Sequence, residues 1–279
     1  MSKKVKQKRI PGRKSGMSAE ELRALRNAYD KPLTAKNYIS FAAAPAILFG
    51  GILFYLTYVW WLGLIAGIIG VVYGLRIWLP KTIKRNYNIK SFNERNRLLN
   101  LLTQQMSDQT KIPKQVLERV VSRLDGELRQ DFFPITARIA NGATSSEINK
   151  MFNAVEEKYK DDIIFSQYLE QIETNFTTGI DNLSSLKDMN GYHNDIRKQR
   201  DLFLGFKSKR LKDCFSLILL SLLLISALQF GMGDHKIYIE SFANSMIGRG
   251  VSIVYTAIFI GLTHKFEKIY FDDNIMEVK

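Results

Sequence analysis

From Asn37 to Leu75 the chain runs for 39 residues without a single Asp, Glu, Lys or Arg. A bilayer core about 30 Å thick is crossed by roughly 20 apolar helical residues. One helix over the whole run would be about 58 Å long, far too much for one crossing and about right for two. The centre of the run reads "YLTYVWWLG" (Tyr55 to Gly63), with aromatics clustered as they are at a membrane–water interface. The expectation is a pair of spans, Ile39–Tyr58 and Trp60–Leu79, joined by a minimal turn, with Trp78 and Pro80 marking the second exit.

Two further charge-free runs follow, Cys214 to Gly233 and Gly250 to Thr263. The second reaches spanning length only by extending back through Ser241 to Gly248 and tolerating Arg249 near its edge. They predict spans at Phe215–Phe230 and roughly Ile247–His264, four in all. Hydrophobic residues make up 46% of the chain, an ordinary share; it is their confinement to these runs that is informative.

The +13 net charge is just as unevenly spread. Residues 1–36 hold eleven Lys or Arg and residues 76–213 hold twenty-four, whereas the turn between the first two spans holds none. The loop from Gly231 to Arg249 holds only Lys236 and Arg249. Basic residues stay on the cytoplasmic side, so both termini and the middle segment are expected there. A cleaved signal peptide is not expected, because the basic leader is 36 residues long and the apolar run after it far exceeds a signal h-region. Cys214 is the only cysteine, which excludes an intrachain disulfide and a CxxC metal site.

"SKKVKQKRIPGRK" (Ser2 to Lys14) reads as a solvated, topology-fixing tail. Adhesion to anionic lipid is the functional alternative, and nucleic-acid binding comes third because the tail has no aromatic platforms. "SAEELRALRNAYD" then opens with a capping box, Ser18 and Glu21, and places Leu22, Leu25 and Tyr29 on one face of a short helix.

The middle segment has helical period throughout. Leu98, Leu102 and Met106 form one stripe; Val116, Leu117, Val120, Val121 and Leu124, after Pro113, form another. Ile148, Met151, Phe152, Val155 and Tyr159 make a third, and Phe165, Tyr168, Leu169, Ile172, Phe176, Ile180 and Leu183 a fourth. A last pattern through Leu186, Met189, Ile196 and Phe203 runs toward Cys214 and the third span. Two turns punctuate the stripes. Gly142 is placed to end a helix in the left-handed conformation, with Thr144 and Glu147 as the capping box of the next. Gly179 and Asp181 repeat the arrangement some forty residues later. The expected fold is an all-α membrane protein: two N-terminal transmembrane helices, a cytoplasmic antiparallel helical bundle, and two C-terminal transmembrane helices. Its segments are a basic arm with a short amphipathic helix (1–36), a transmembrane hairpin (37–80), the bundle (81–213), a second transmembrane pair (214–264) and a tail (265–279).

Catalytic chemistry finds no foothold. HExxH, GxSxG, GxGxxG and GxxxxGK[ST] are all missing. His193, His235 and His264 lack metal-ligand spacing and are expected at the surface or membrane interface. The acidic pairs Glu156–Glu157, Asp161–Asp162 and Asp272–Asp273 are adjacent and so diverge on a helix, which suits solvated faces. The first three spans carry no ionisable residue in their interiors, so a secondary transporter is disfavoured. No enzyme, cofactor or metal is expected. Gly63, Gly67, Gly70 and Gly74, at spacings of 4, 3 and 4, share one face of the second span and predict a tight helix–helix contact, within the chain or between copies.

Four stretches in this layout carry a resemblance: "LLNLLTQQMSDQTKIPKQVLERV", "ARIANGATSSEINKMF", "YLEQIETNFTTGIDNLSSLKDM" and "DIRKQRDLFLGFKSKRLKD" leading into a span. Their order resembles the F-type inner-membrane platform proteins of type II secretion and type IV filament machines, most of all the TadB/TadC branch. The likeness covers about Ser91 to Lys279; the N-terminal hairpin agrees in topology only. The chain departs from the pattern at Ser185 of "LSSL", where Ala is common, in its short fourth span and in its acidic tail "FDDNIMEVK". The resemblance implies a non-enzymatic subunit of the bacterial cytoplasmic membrane, homo-oligomeric or paired with a related platform protein. Its F domain would contact a hexameric secretion ATPase and couple it to the export of pilin-like subunits in a secretion, pilus-assembly or conjugation machine. For the ATPase contact the resemblance points to the helix Thr144–Lys160 and the basic run Arg197, Lys198, Arg200, Lys207, Lys209, Arg210 and Lys212, a run that serves equally as a topology signal. The alternatives are a channel, transport or signalling subunit with a cytoplasmic helical domain, and, suggested by charge alone, a DNA-contacting conjugation subunit. Membrane lipid is an expected partner and nucleic acid is not.

Overall fold

The computed structural model describes residues 17–108, 112–179, 182–231 and 235–273, and every regular element among them is helical. The first helix, α1 (Ala19–Tyr29), is closed at its start by the reciprocal Ser18–Glu21 box, with bonds of 3.1 and 2.9 Å. Helix α2 (Ala35–Thr57) stops at Tyr58, which takes a left-handed φ of +54°. That conformation strains a residue with a Cβ, and the Tyr58 ring is held there against His235 and Tyr238. Two residues then suffice to reverse the chain into α3 (Trp60–Tyr73).

The helix of the second span does not stop at Trp78 and Pro80, the expected exit from the membrane. Helix α3 passes through a π-turn, Gly74–Trp78, straight into α4 (Leu79–Met106), a continuous rod of 47 residues. A proline inside an α-helix has no N–H to give and collides with the carbonyl four residues back. Here the wider turn comes just before Pro80, with the Leu79 N–H reaching Gly74, so the ring is accommodated and the helix goes on. The segment boundary at residue 80 therefore lies inside an uninterrupted helix.

Helices α5 (Pro113–Val121), α6 (Gly126–Ala140) and α8 (Ile163–Thr178) pack against α4, and α7 (Ser145–Lys158) packs on α6 and α8. The sequence stripes meet in one core: Leu98, Leu99, Leu102, Leu117, Val120, Leu124, Phe132, Phe152, Phe165, Leu169 and Ile172 are almost wholly buried. Tyr168 joins them because its hydroxyl meets Thr103 at 2.8 Å, so no polar atom is stranded. At the turns, Gly142 and Gly179 have φ of +79° and +71°, and Glu147 accepts from the Thr144 N–H at 3.1 Å. Asp181 and Ile180 lie outside the described residues.

Helix α9 (Leu183–Gly231) is 49 residues long and joins the core, through Leu186, to the third apolar run without a break. After a short α10 (His235–Tyr238) and a second π-turn, α11 (Met246–Phe271) returns; it outruns the predicted end at His264 by two turns. Four helices, α2, the α3–α4 rod, α9 and α11, are long and apolar enough to cross a membrane. Their outward faces carry Ile68, Leu217, Leu220, Leu224, Ile258 and Leu262, all more than half exposed. An apolar surface this extensive is unfavourable in water and suits a hydrocarbon phase.

The glycine seam lies within the chain. Gly63, Gly70 and Gly74 face α2, where a Cβ would meet Phe54 at 2.8 Å, the backbone of Pro45 and Ala46, and the carbonyl of Phe41 respectively. Gly50 answers from α2, its own Cβ position 2.7 Å from the Gly63 carbonyl. Gly67 sits in the same row with ordinary clearance, 3.7 Å to Ala46.

Candidate functional site

Helices α4 and α9 run antiparallel, and a polar seam joins them where stripe periodicity would put apolar side chains. Going up α4 and down α9, Arg85 stands across from Lys207, Phe92 from Arg200, Asn96 from Arg197 and His193, and Asn100 from Asn194. Asn96 is fully buried and saturated. Its carbonyl oxygen accepts from Arg197 at 2.9 Å and Asn100 at 3.0 Å; its amide nitrogen donates to Asn194 at 2.9 Å and faces His193 Nδ1 at 2.9 Å. Asn100 and Asn194 exchange a reciprocal pair of bonds at 3.0 and 2.9 Å.

The seam dictates a tautomer. Arginine can only donate, so Arg197 orients the Asn96 oxygen toward itself and leaves the amide NH2 pointing at His193. His193 Nδ1 must then accept, which puts the ring proton on Nε2, toward Asp162 at 3.4 Å. The ring is wholly buried and stacked on Phe92, centroids 4.6 Å apart. His193 is therefore no surface residue; its spacing concealed a partner set assembled from α4 and from the start of α8.

Asp162 is also displaced from the solvated face expected for it. It caps α8 through the Phe165 N–H at 3.2 Å and receives Arg95 Nε at 2.8 Å. Burial alone would raise its pKa, but the His193 hydrogen bond and the Arg95 charge outweigh burial and bring it down to about 2. Arg95 reaches on to Ser91 at 2.8 Å and lies over Tyr159.

Toward the apolar helices the seam becomes a charge clamp on the end of α11. Lys81 pairs at 2.5 Å with Glu267, a carboxylate with no exposed surface, and His264 stands 3.4 Å from its other oxygen. One turn further, Asp273 bridges Arg85 at 3.2 Å and Lys207 at 2.7 Å, while the Asp272 carbonyl accepts from Lys207. Arg85 also covers the Tyr270 ring at 4.3 Å. The acidic tail thus ties α11 to both through-running helices, and Asp273 too leaves the solvated role expected of it.

This divides the basic run. Lys207 is consumed by the clamp, Arg200 is half-buried on Phe92 at 4.6 Å, and Arg197 serves Asn96. Lys198, Lys209, Arg210 and Lys212 remain exposed, Lys198 beside Asp195 at 3.2 Å. On α7, Ile148, Phe152 and Val155 face the core, leaving Ser146, Lys150, Asn153 and Glu157 outward. Among the described residues no cluster of three His, Cys, Asp or Glu is placed to hold a metal.

Sequence reasoning passed over Asn96, Asn100, Asn194 and Glu267. A faint signal existed: asparagines four apart at 96/100 and 190/194, on helices otherwise patterned for a core.

Among known proteins, one described as uncharacterized protein pXO2-23, from Bacillus anthracis, is 38% identical over 267 residues, covering 96% of each chain. No family model matches the sequence, and no solved structure matches it.

Proposed function

The chain belongs to the family of the Bacillus anthracis pXO2-23 protein, and from that premise we propose that it is a non-enzymatic platform subunit of the bacterial cytoplasmic membrane. It crosses four times, keeps both termini and the α4–α9 bundle in the cytoplasm, and couples a hexameric secretion ATPase to the export or assembly of subunits in a secretion, pilus or conjugation machine.

One observation carries this reading. Two helices, the α3–α4 rod and α9, pass unbroken from the apolar layer into the bundle and are joined there by a saturated polar seam. A slip of one helix along the other would strand buried amides and a buried imidazole, at about 1–3 kcal/mol for each unsatisfied group. The pair therefore moves as a unit, and a push on the bundle is delivered to the membrane helices. A transporter would instead keep its polar network inside the bilayer. The exposed faces available to an ATPase are the outer side of α7 and the outward basic residues of α9, Lys209, Arg210 and Lys212.

The test is affinity recovery of the crosslinked full-length protein from native membranes, with partners identified by mass spectrometry. Wild type is expected to bring down a P-loop ATPase, and the outward variants Lys150→Glu with Glu157→Lys, or Lys209→Glu with Lys212→Glu, are expected to lose it while keeping wild-type thermal stability. Recovery of no ATPase or export component after crosslinking would leave the platform mechanism without support.

A further inference from the structure

The α4–α9 seam has a direction. Arg197 and Asn100 both donate to the Asn96 side-chain oxygen, which leaves the Asn96 NH2 facing His193 Nδ1 at 2.9 Å. That contact holds only while Nδ1 carries no proton. A second proton on the ring would set an N–H against an NH2, donor against donor, on an imidazole that is wholly buried. The charged and titratable groups around the ring come from four helices. Asp162, at the start of α8, faces Nε2 at 3.4 Å. Arg95 of α4 and Arg200 of α9 lie over Phe92, the ring stacked on His193. Tyr159, at the end of α7, lies under Arg95, and Arg197 stands beyond Asn96. Asp162 accepts from Nε2 in either protonation state, so the change is confined to the Nδ1 side.

A side-chain amide answers such a clash by turning over, because its oxygen and its NH2 fill nearly the same space. Asn96 would then offer its oxygen to His193 and its NH2 to Arg197, which can only donate. Arg197 has another acceptor at hand. Its side chain is 45% exposed, and its Nε already lies 3.8 Å from the Asp201 carboxylate, one turn along α9. Asn100 keeps the Asn96 main-chain oxygen at 2.8 Å. Asn194 Oδ1, which accepts from Asn96 at 2.9 Å, would face an oxygen instead, and its reciprocal pair with Asn100 is disturbed as well. Bonds between the two helices are lost, and an ion pair within one of them is gained.

We propose that His193 is a proton-operated release for the seam: a proton taken up at Nδ1 turns the Asn96 amide and hands Arg197 from Asn96 to Asp201, loosening α9 from α4. The release depends on the seam geometry alone. Neither the ATPase nor the membrane orientation enters it, and a seam that holds at every pH would leave the platform reading standing.

The experiment follows the full-length protein in detergent, labelled with 15N-histidine, by NMR from pH 8 to pH 5, the range over which histidines ordinarily change charge. Over the same range mass spectrometry reads hydrogen exchange in residues 190–204, corrected for the intrinsic rate, with residues 165–172 of the core as reference. The His193 signal, assigned by elimination with His235→Gln and His264→Gln, is expected to pass from the Nε2–H tautomer to the imidazolium. Exchange across 190–204 should rise about tenfold, the scale of one hydrogen bond to a charged group, while 165–172 stays constant. Arg197→Ala should show the raised exchange already at pH 8 and gain little in acid. Asp201→Asn, at a side chain 61% exposed, should lower the acid rise severalfold. A His193 signal that is constant from pH 8 to pH 5 overturns the release, as does a titrating His193 with unchanged exchange at 190–204. A full acid rise in Arg197→Ala or in Asp201→Asn overturns the transfer of Arg197.

Discussion

Asp162 joins three helices because a single carboxylate serves as cap, ion-pair partner and hydrogen-bond acceptor at once. Its pKa of about 2 when folded, against 3.8 for a free aspartate, makes it a stabilising group with a defined pH window. A depressed carboxylate contributes its stability above the unfolded value, so the contribution is complete above about pH 4 and is lost as pH falls through about 2. The difference corresponds to about 2 kcal/mol. Asp162→Asn is expected to lower stability by about that much at neutral pH, and to flatten the acid limb between pH 4 and 2, in thermal melts of the full chain in detergent. A wild-type acid limb in the variant would mean that other carboxylates dominate. The same neighbourhood shows why His193 was misjudged from sequence. The histidine is isolated in the chain, yet Phe92, Asn96 and Asp162 converge on it from 31 to 101 residues away.

At the scale of elements, glycine has two opposite meanings here. Along α3 it permits close approach: the atoms facing Gly70 and Gly74 are α2 backbone, which cannot swing aside. Gly70→Ala is therefore expected to separate the hairpin and cost on the order of 1–3 kcal/mol, whereas Gly67→Ala, with 3.7 Å of clearance, should be close to neutral. Melting temperatures of the two variants in one detergent decide the matter; equal losses would mean that the seam packs less tightly than described. Along α9, Gly191 and Gly205 lie in the helix with nothing near their Cβ positions. Their conformational freedom only weakens the helix, so Gly191→Ala and Gly205→Ala should each stabilise by about 1 kcal/mol, read from the same melts. If α9 must bend at either glycine to work, the stabilised variant will lose partner recovery while gaining stability.

For the whole molecule, the decisive prediction is orientation. In a Cys214→Ser background, Met246→Cys at the α10–α11 end, where Met246 is 92% exposed, should react with a membrane-impermeant thiol reagent in intact cells whose outer layers admit it. Lys268→Cys and Lys209→Cys should react only after the membrane is opened. The reverse pattern would put the bundle outside and remove the ATPase from its reach. The expected orientation rests on the distribution of basic residues between the loops, whereas the mechanical unity proposed for the molecule rests on the polar seam between α4 and α9, with the end of α11 clamped to both.

By itself the sequence determined what depends on local composition and period. Four apolar stretches demanded a nonaqueous phase, the stripes from Leu98 to Leu169 demanded helices facing one core, and glycines at 142 and 179 supplied the left-handed turns. These features are legible because 3.6-residue periodicity and hydrophobic length act within a few turns of chain. Tertiary structure decided what depends on pairing across distance: that Pro80 interrupts nothing, that the α3 glycines contact α2 of the same chain, that His193 and Asp162 are buried partners, and that Lys207 is bound to the tail rather than free. An isolated polar residue in a helix has the same local signature whether it faces water or an interior partner. Only the packing of α4 against α8, α9 and α11 supplies the donors and acceptors that make burial tolerable, and with them the seam on which the function proposed here depends.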